Sequence, residues 1–331
     1  MQGSDRQCQY RGGVAMKCLC CGKTLRTENE SGWHKSCIRN FFGTIRIPQI
    51  ELNDSTLETL ATESAGKGYT VPGVQKKLSL HLQSEGDAPR LTIVNYPTGY
   101  ILKPQVEQFE ALPESEHLIM CMADAVGIAT VPHALIQNGN TYAYITKRID
   151  RIFYKGRVEK LAMEDFCQLD YRLTRDKYHG SYEQCGKIIK RFSERSKLDL
   201  SELFIRIVFF YITGNSDMHL KNFSLIETAV GSRQYVLSQA YDLLPVKVNM
   251  PEDQEDFALA MNGKKMNIRK KDFFLFAENI GITKNTTQKM ITQLVAHKDM
   301  LQLMCKESFL PDHLKTQFSE LIEKRCSVLM S

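Results

Sequence analysis

The stretch Gly214-Asn215-Ser216-Asp217-Met218-His219-Leu220-Lys221-Asn222-Phe223, with Asp242 following in Ala240-Tyr241-Asp242-Leu243-Leu244, constrains this chain more than any other. Upstream of it, Asp199-Leu200-Ser201-Glu202 reads as a helix start with a capping pair, and Leu203, Ile207, Phe210 and Tyr211 recur at helical spacing. Gly214 ends that helix. Phe223-Ser224-Leu225-Ile226 and Tyr235-Val236-Leu237-Ser238 read as strands around a Gly231-Ser232 turn. A hairpin returns its second strand to the end where its first began, so Asn222 and Asp242 are expected near each other.

Those residue types suit one chemistry. Moving a phosphoryl group from ATP needs a carboxylate to accept or orient the hydroxyl proton, an amide oxygen to hold Mg²⁺, and a second carboxylate to hold the metal against the phosphates. Asp217 fits the first role, and Asn222 and Asp242 fit the other two. The D-x-x-x-x-N spacing is that of a kinase catalytic loop. The plainer alternative, that Asp217 and Asn222 only make turn hydrogen bonds, would suffice for an isolated motif. Asp242, and a strand lysine upstream, argue for the functional reading.

At 331 residues the chain is long enough for two domains or one large bilobed one. The net charge of +5 permits nucleic-acid contact without arguing for it. The N-terminus lacks the apolar core of a signal peptide, and the longest apolar run, Leu203 to Thr213, is short and interrupted by Arg206. A soluble, cytoplasmic protein with no membrane partner is expected. Of ten cysteines, five fall by position 37, a distribution that suits reduced thiols and one metal site rather than a disulfide framework.

Residues 1–15 carry no periodicity and are expected to be a disordered extension. In 16–43, Cys18-x-x-Cys21 and His34-x-x-Cys37 form two paired ligand sets, twelve residues apart, of the kind that close a tetrahedral zinc site. Cys20 and Cys8 are rival ligands, and a coincidental cluster is the alternative. With all four positions filled by protein, the zinc would be structural.

A first lobe is expected over 44–148. After a linker and a short helix from Ser55 to Ser64 comes the glycine-bearing loop from Ala65 through Lys77, then a strand from Leu78 to Leu82. Strands from Arg90 to Tyr96 and from Tyr100 to Lys103 follow, joined by Pro97-Thr98-Gly99, with Pro104 stopping the second. That placement suits Lys103 for the α- and β-phosphates of ATP, although an exposed strand-end lysine would look the same. Pro113 to Ala125 reads as a helix, and Glu116 in its first turns is either the ion-pair partner of Lys103 or a glutamate favoured there by the helix dipole. Asn138-Gly139 between Val131-Ile136 and Thr141-Thr146 is a hairpin signal. The second lobe, 149–331, reads as mainly helical. The expected fold is therefore α+β and bilobed: a small β-rich first lobe, a mainly helical second lobe and an N-terminal zinc-knuckle-like segment, in the manner of a protein kinase.

Several motifs in this order carry a family resemblance: Gly73-Val74-Gln75-Lys76-Lys77-Leu78-Ser79, Ile101-Leu102-Lys103-Pro104, Lys147-Arg148-Ile149-Asp150-Arg151, Glu164-Asp165-Phe166-Cys167-Gln168, Asp217 through Phe223, and Tyr241-Asp242. From about Gly66 onward the chain resembles the HipA family of bacterial serine/threonine kinases, most closely its short HipT-like members. The resemblance implies the toxin of a toxin-antitoxin system that phosphorylates a translation component such as an aminoacyl-tRNA synthetase. By that similarity, Pro72, Gly73, Val74, Gln75, Lys76 and Lys77 would cover the ATP phosphates, Lys103 would hold them, and Lys147 to Ile149 would meet the adenine. Asp217 would be the catalytic base, His219, Lys221, Asn222 and Tyr241 would line the nucleotide site, and Asn222 and Asp242 would bind Mg²⁺. A helix-turn-helix antitoxin, a small HipS-like protein, and DNA through the antitoxin are the implied partners.

Family members often autophosphorylate a serine just before the Gly-Val-Gln segment. Thr70 stands there in this chain, and Pro72 replaces a second hydroxyl, stiffening the loop. Downstream, Gly263 through Lys271 is the densest basic stretch, read as a solvated helix start, and Pro251-Glu252-Asp253-Gln254-Glu255-Asp256 reads as an exposed loop. Two other classes of function fit parts of the pattern. Asp217-x-His219-x-x-Asn222 also suits small-molecule phosphotransferases, and a zinc-bearing binding module on an inactive kinase fold would keep the same knuckle.

Overall fold

The structure, a computed structural model, describes residues 16–25, 32–50, 77–83, 89–92, 99–154 and 157–331. The expected disordered extension, the Ser55–Ser64 helix, Cys8, and the loop bearing Thr70, Pro72, Gly73, Val74, Gln75 and Lys76 lie outside the described residues. The chain divides into two units, Met1–Val106 with Pro132–Arg148, and Glu107–Val131 with Ile149–Ser331.

In the first unit a short helix, α1 (Lys35–Phe42), precedes the strands β1 (Gln49–Ile50), β2 (Leu78–Gln83), β3 (Arg90–Thr92), β4 (Tyr100–Pro104), β5 (His133–Asn138) and β6 (Thr141–Lys147). They form one sheet in the order β1-β3-β2-β4-β6-β5, antiparallel except for β1 beside β3. Its register is set by apolar alternation: Leu78 and Leu80 are buried on either side of exposed Ser79, and Leu78 pairs with buried Leu102. β4 runs one residue past the expected stop, because Pro104 pairs with Ala143 at the strand's end, where a missing N–H is tolerated. The β5–β6 hairpin turns through Gly139 at φ 57°, as Asn138-Gly139 predicts.

The second unit contains α2 (Leu112–Ala125), the hairpin of β7 (Arg151–Tyr154) and β8 (Arg157–Lys160), and a small sheet ordered β11-β10-β9. That sheet is built from β9 (Met163–Asp165), β10 (Ser224–Glu227) and β11 (Tyr235–Leu237). The helices are α3 (Phe166–Leu169), α4 (Tyr182–Phe192), α5 (Ser196–Thr213), α6 (Val246–Asn249), α7 (Lys270–Asn279), α8 (Lys284–Ala296), α9 (Lys298–Lys306) and α10 (Asp312–Met330).

From Leu203 to Thr213 every residue of α5 but one is buried, and α4, α8 and α10 pack around it. A helix apolar on all sides belongs in a core. Its aromatic neighbours interlock edge to face, with Tyr211 5.4 Å from Phe273 and Tyr182 5.1 Å from Phe257 between ring centroids.

Two expectations in this unit are corrected. The helix start read at Asp199 lies at Ser196, and Asp199 is not its cap: its buried carboxylate accepts from Ser193 Oγ, Arg195 Nε and the Leu237 N–H. The acidic segment from Pro251 to Asp256 is exposed only in part. Asp256 is buried, paired with Arg325 at 2.5 Å, and accepts from the Ile268 N–H at 3.0 Å. The basic stretch behaves as read, ending in the first turn of α7, where Asp272 accepts from Arg269 N–H and Lys264 Nζ. Among the described residues, no helix is long and apolar enough to cross a membrane.

Candidate active site

The helix α5 leads directly into the loop that carries Asp217. Gly214 closes α5 in the left-handed region at φ 68°, and a Cβ there would lie 2.6 Å from Leu321 Cδ2 and 2.8 Å from Lys247 Cβ. Glycine is therefore required by both conformation and space. The Lys247 N–H donates to the Gly214 carbonyl at 3.0 Å, which fastens the segment after Asp242 to the start of the loop.

Within the loop, the Asp217 carbonyl accepts from the His219 N–H at 2.8 Å and from Asn222 Nδ2 at 3.0 Å. The turn bonding considered as the plainer alternative is thus present, and it has a chemical consequence. With Nδ2 committed to a carbonyl, Asn222 Oδ1 is the amide atom left to act as an acceptor, which is what a cation needs. Met218 and Leu220, both buried, pin the loop's other face, and Tyr182 Oη donates to the Met218 carbonyl at 3.3 Å.

The hairpin delivers Asp242 to the same frame. Leu225 pairs with Leu237, and the Ser238 N–H donates to the Ser224 carbonyl, so the chain returns past Asn222. Tyr241 Oη then reaches the Lys221 carbonyl at 3.1 Å and Ser224 Oγ at 2.5 Å, and burial pushes this hydroxyl up. Tyr241 serves here as a staple between the hairpin and the loop. Asp242 itself has φ 57°, a left-handed conformation that aspartate tolerates. Just before it, Ala240 is held by the Ala129 carbonyl and the Val131 N–H.

Two charged side chains of α5 grip the returning strand. The Asp199 carboxylate takes the Leu237 N–H at 2.7 Å, and buried Arg206 donates to the Ser238 carbonyl at 2.8 Å while pairing with Glu202 at 2.9 Å. One helix therefore positions Asp217 through its C-terminus and Asp242 through its side chains. The lone arginine interrupting an apolar run was the sequence signal for this role. Asp199 was visible too, but it read as a cap.

Lys221 pairs with Asp165 at 2.6 Å. Asp165 also caps α3 through a reciprocal bond with Gln168, which gives Glu164 through Gln168 a structural reason. The residue that sequence reasoning missed is Tyr178. Its hydroxyl donates to Asp217 Oδ1 at 2.7 Å, and its ring meets His219 edge-on at 4.9 Å. Burial, then the Asp217 carboxylate, push this hydroxyl up, so it stays a donor at neutral pH. Nothing in the local sequence pointed to it, because the contact spans 39 positions.

In the first unit, Lys103 is buried in β4, its Nζ 5.2 Å from the centre of the Tyr144 ring. It is not the exposed strand-end lysine of the alternative reading. Lys147 ends β6 opposite Tyr100, and Lys77, which is exposed, immediately precedes β2. Glu116 is buried in α2, and half-exposed Ile149 opens the second segment of the helical unit.

Elsewhere in the first unit, Cys18, Cys21, His34 and Cys37 present four ligand atoms within 4.8 Å of one another. Their donor set is that of structural zinc.

The family model described as "HipA-like C-terminal domain" matches residues 69–300. This chain belongs to the HipA-like family. A Haemophilus influenzae protein named "Putative kinase" is 29% identical over 276 residues, covering 74% of this chain and 77% of the relative. Two Sinorhizobium fredii proteins named in the same way, Y4mE and Y4dM, are 29% and 32% identical and are covered over 60% and 51% of their lengths, against 76% and 62% of this chain. The chain thus spans little more than half the length of those two relatives.

Among solved structures, HipA of Shewanella oneidensis, in complex with HipB and operator DNA, superposes with a TM-score of 0.63 at 20% identity, over 78% of this chain and 64% of that one. The Helicobacter pylori proinflammatory kinase CtkA gives 0.52 at 15% identity, over 75% and 93%. At those identities the likeness is one of fold: a HipA-like chain built on a kinase fold.

Proposed function

We propose that this HipA-like chain is an ATP- and Mg²⁺-dependent serine/threonine protein kinase, the toxin of a toxin-antitoxin system. Its substrate in this reading is a translation component such as an aminoacyl-tRNA synthetase. The observation that carries the proposal is the hydrogen-bonded frame joining the Asp217 loop, Asn222 and the hairpin that ends at Asp242.

In this reading Asp217 orients the acceptor hydroxyl and takes its proton as the oxygen attacks the γ-phosphorus. The bond from that phosphorus to the β–γ bridging oxygen breaks, and ADP leaves with the electron pair. Asn222 Oδ1 and the Asp242 carboxylate would hold Mg²⁺, which offsets charge on the phosphate oxygens. Lys103 would meet the α- and β-phosphates, and Glu116 would take the partner role that the kinase lysine-to-helix pattern implies for it. Lys147 and Ile149 would border the adenine. Pro72 through Lys77 would cover the phosphates, and Thr70 is the proposed autophosphorylation site.

Tyr178 bears on the substrate. Its hydroxyl lies at Asp217 Oδ1, where an acceptor hydroxyl would have to be, so a substrate serine or threonine would displace it. A helix-turn-helix antitoxin, a small HipS-like protein, contact with DNA through the antitoxin, and a cytoplasmic location belong to the same reading. Structural zinc at Cys18, Cys21, His34 and Cys37 is a separate proposal, independent of the kinase assignment. The test is incubation with Mg-ATP, alone and with a panel of aminoacyl-tRNA synthetases, followed by intact mass and phosphosite mapping. Gains of one phosphate on serine or threonine are expected; phosphate appearing only on small molecules would overturn the protein-kinase assignment.

A further inference from the structure

We infer that Cys18, Cys21, His34 and Cys37 bind one zinc ion, and that the closed knuckle braces both the open edge and the central strand β4 of the sheet carrying Lys103. The ligand set rests on geometry as well as spacing. His34 Nε2 lies 3.2 Å from the Thr24 carbonyl, an atom that can only accept, so Nε2 carries the proton. Nδ1 is then the lone-pair nitrogen, and it lies 3.4 Å from Cys21 Sγ and 3.8 Å from Cys37 Sγ. Zinc bonds of about 2.3 Å to sulfur and about 2.05 Å to nitrogen, at tetrahedral angles, put such atoms about 3.6 Å apart.

A metal-bound histidine whose other nitrogen is held by a backbone carbonyl is the usual supporting arrangement. A thiolate is supported as well: the His34 N–H points at Cys18 Sγ at 3.4 Å. Cys20, the described rival, is outside the set.

The knuckle reaches the sheet at two places. β5 is the edge strand, and its Leu135 N–H, on the side away from β6, donates to the carbonyl of Leu19 between the first two ligands, at 2.8 Å. An edge N–H that would be open to another strand is thereby covered. On the other side, Trp33 and α1, which flank and carry the last two ligands, bury an aromatic cluster against β4. Trp33 lies 5.5 Å from Phe42, Phe42 lies 5.5 Å from Tyr100, and Tyr100 Oη donates to the Phe41 carbonyl at 3.3 Å. Tyr100 is three residues before Lys103 in the same strand. Zinc fixes Cys18 and Cys21 relative to His34 and Cys37, and so fixes the edge contact relative to the aromatic one.

The metal and its bracing do not depend on the kinase reading. The full-length chain, purified without a tag or chelator, is predicted to hold about one zinc per chain. Cys21→Ser combined with Cys37→Ser is predicted to lose it. Removing zinc from the native chain with a chelator is predicted to speed amide exchange in 100–104 and 133–138 about tenfold or more, while 203–213 keeps its protection. Adding zinc back restores the slow exchange.

Cobalt added to the stripped chain gives a second readout, the visible bands of a tetrahedral thiolate site, should the double variant fail to fold. A native chain with no zinc and no cobalt bands overturns the site. Zinc that can be removed and returned without changing exchange in 100–104 and 133–138 overturns the brace. Zinc and exchange that behave as predicted in a chain that never transfers phosphate would uphold this inference and count against the kinase reading.

Discussion

The two units hold their candidate functional residues by different means. In the helical unit, Asp217, Asn222 and Asp242 sit on a frame whose bonds begin and end in α5, a helix buried on nearly all sides. In the first unit, Lys103 lies in a sheet whose edge strand and central strand are both tied to a small knuckle with four ligand atoms at its centre. The first arrangement draws on apolar burial with charges satisfied inside it. The second draws on a cluster of polar ligands that a metal would hold together. The helical unit should therefore be sensitive to core truncation and indifferent to chelators, and the first unit the reverse.

The largest effect on that contrast is expected from Phe210→Ala. Phe210 is fully buried in α5, and removing its ring should destabilise the helical unit by about 4 kcal/mol while leaving metal content unchanged. Thermal or denaturant unfolding together with zinc analysis would check both halves. Asp199→Ala comes next, at roughly 3 kcal/mol, because it strands the Leu237 N–H and removes the partner of Arg195 and Ser193. It should also lower phosphate transfer more than a core substitution of equal cost, since it frees the strand that leads to Asp242.

Much of this was legible in the sequence because it is local. The hairpin around Gly231, the Asn138-Gly139 turn, α2 and the end of α5 at Gly214 all follow from periodicity and turn chemistry within short windows. What could not be read depends on partners far along the chain. Asp199-x-x-Glu202 has the pattern of a helix cap, yet the hairpin backbone, 38 positions away, claims the carboxylate. Lys221 shows no partner in its own stretch, because that partner, Asp165, lies 56 positions upstream. Asp256 looked solvated until α10 supplied Arg325. Charge, unlike hydrophobicity, has no period that identifies its partner.

Tyr178→Phe should have a smaller effect, about 1 kcal/mol, from loss of one hydrogen bond to Asp217. Because the Tyr178 hydroxyl is raised, its contribution is complete below the ordinary tyrosine value of about 10 and is lost only as pH rises through the folded value. The difference between wild type and variant should accordingly be flat from about pH 6 to about pH 9, as unfolding measured across that range would show. If Tyr178 occupies the acceptor's place, the variant should also lower KM for the protein substrate.

Glu227→Gln should change least. The Arg233 N–H, followed by the Ala162 N–H, holds this carboxyl below the usual range, opposed by burial. A lowered carboxyl contributes stability above its unfolded value of about 4.3 and loses it as pH falls through the folded one. The gap between wild type and variant should thus be present at neutral pH and close in acid, a sequence of unfolding curves that would isolate this one contact.

The most direct test of the central claim compares Mg-ATP binding and phosphate transfer in wild type, Asp217→Ala and Asp242→Ala. The frame described here predicts that Asp217→Ala binds Mg-ATP as wild type does but transfers phosphate slower by about 10³ or more, whereas Asp242→Ala loses the Mg²⁺ dependence of binding along with transfer. Transfer that survives in Asp217→Ala, or Mg²⁺-dependent binding that survives in Asp242→Ala, would contradict it.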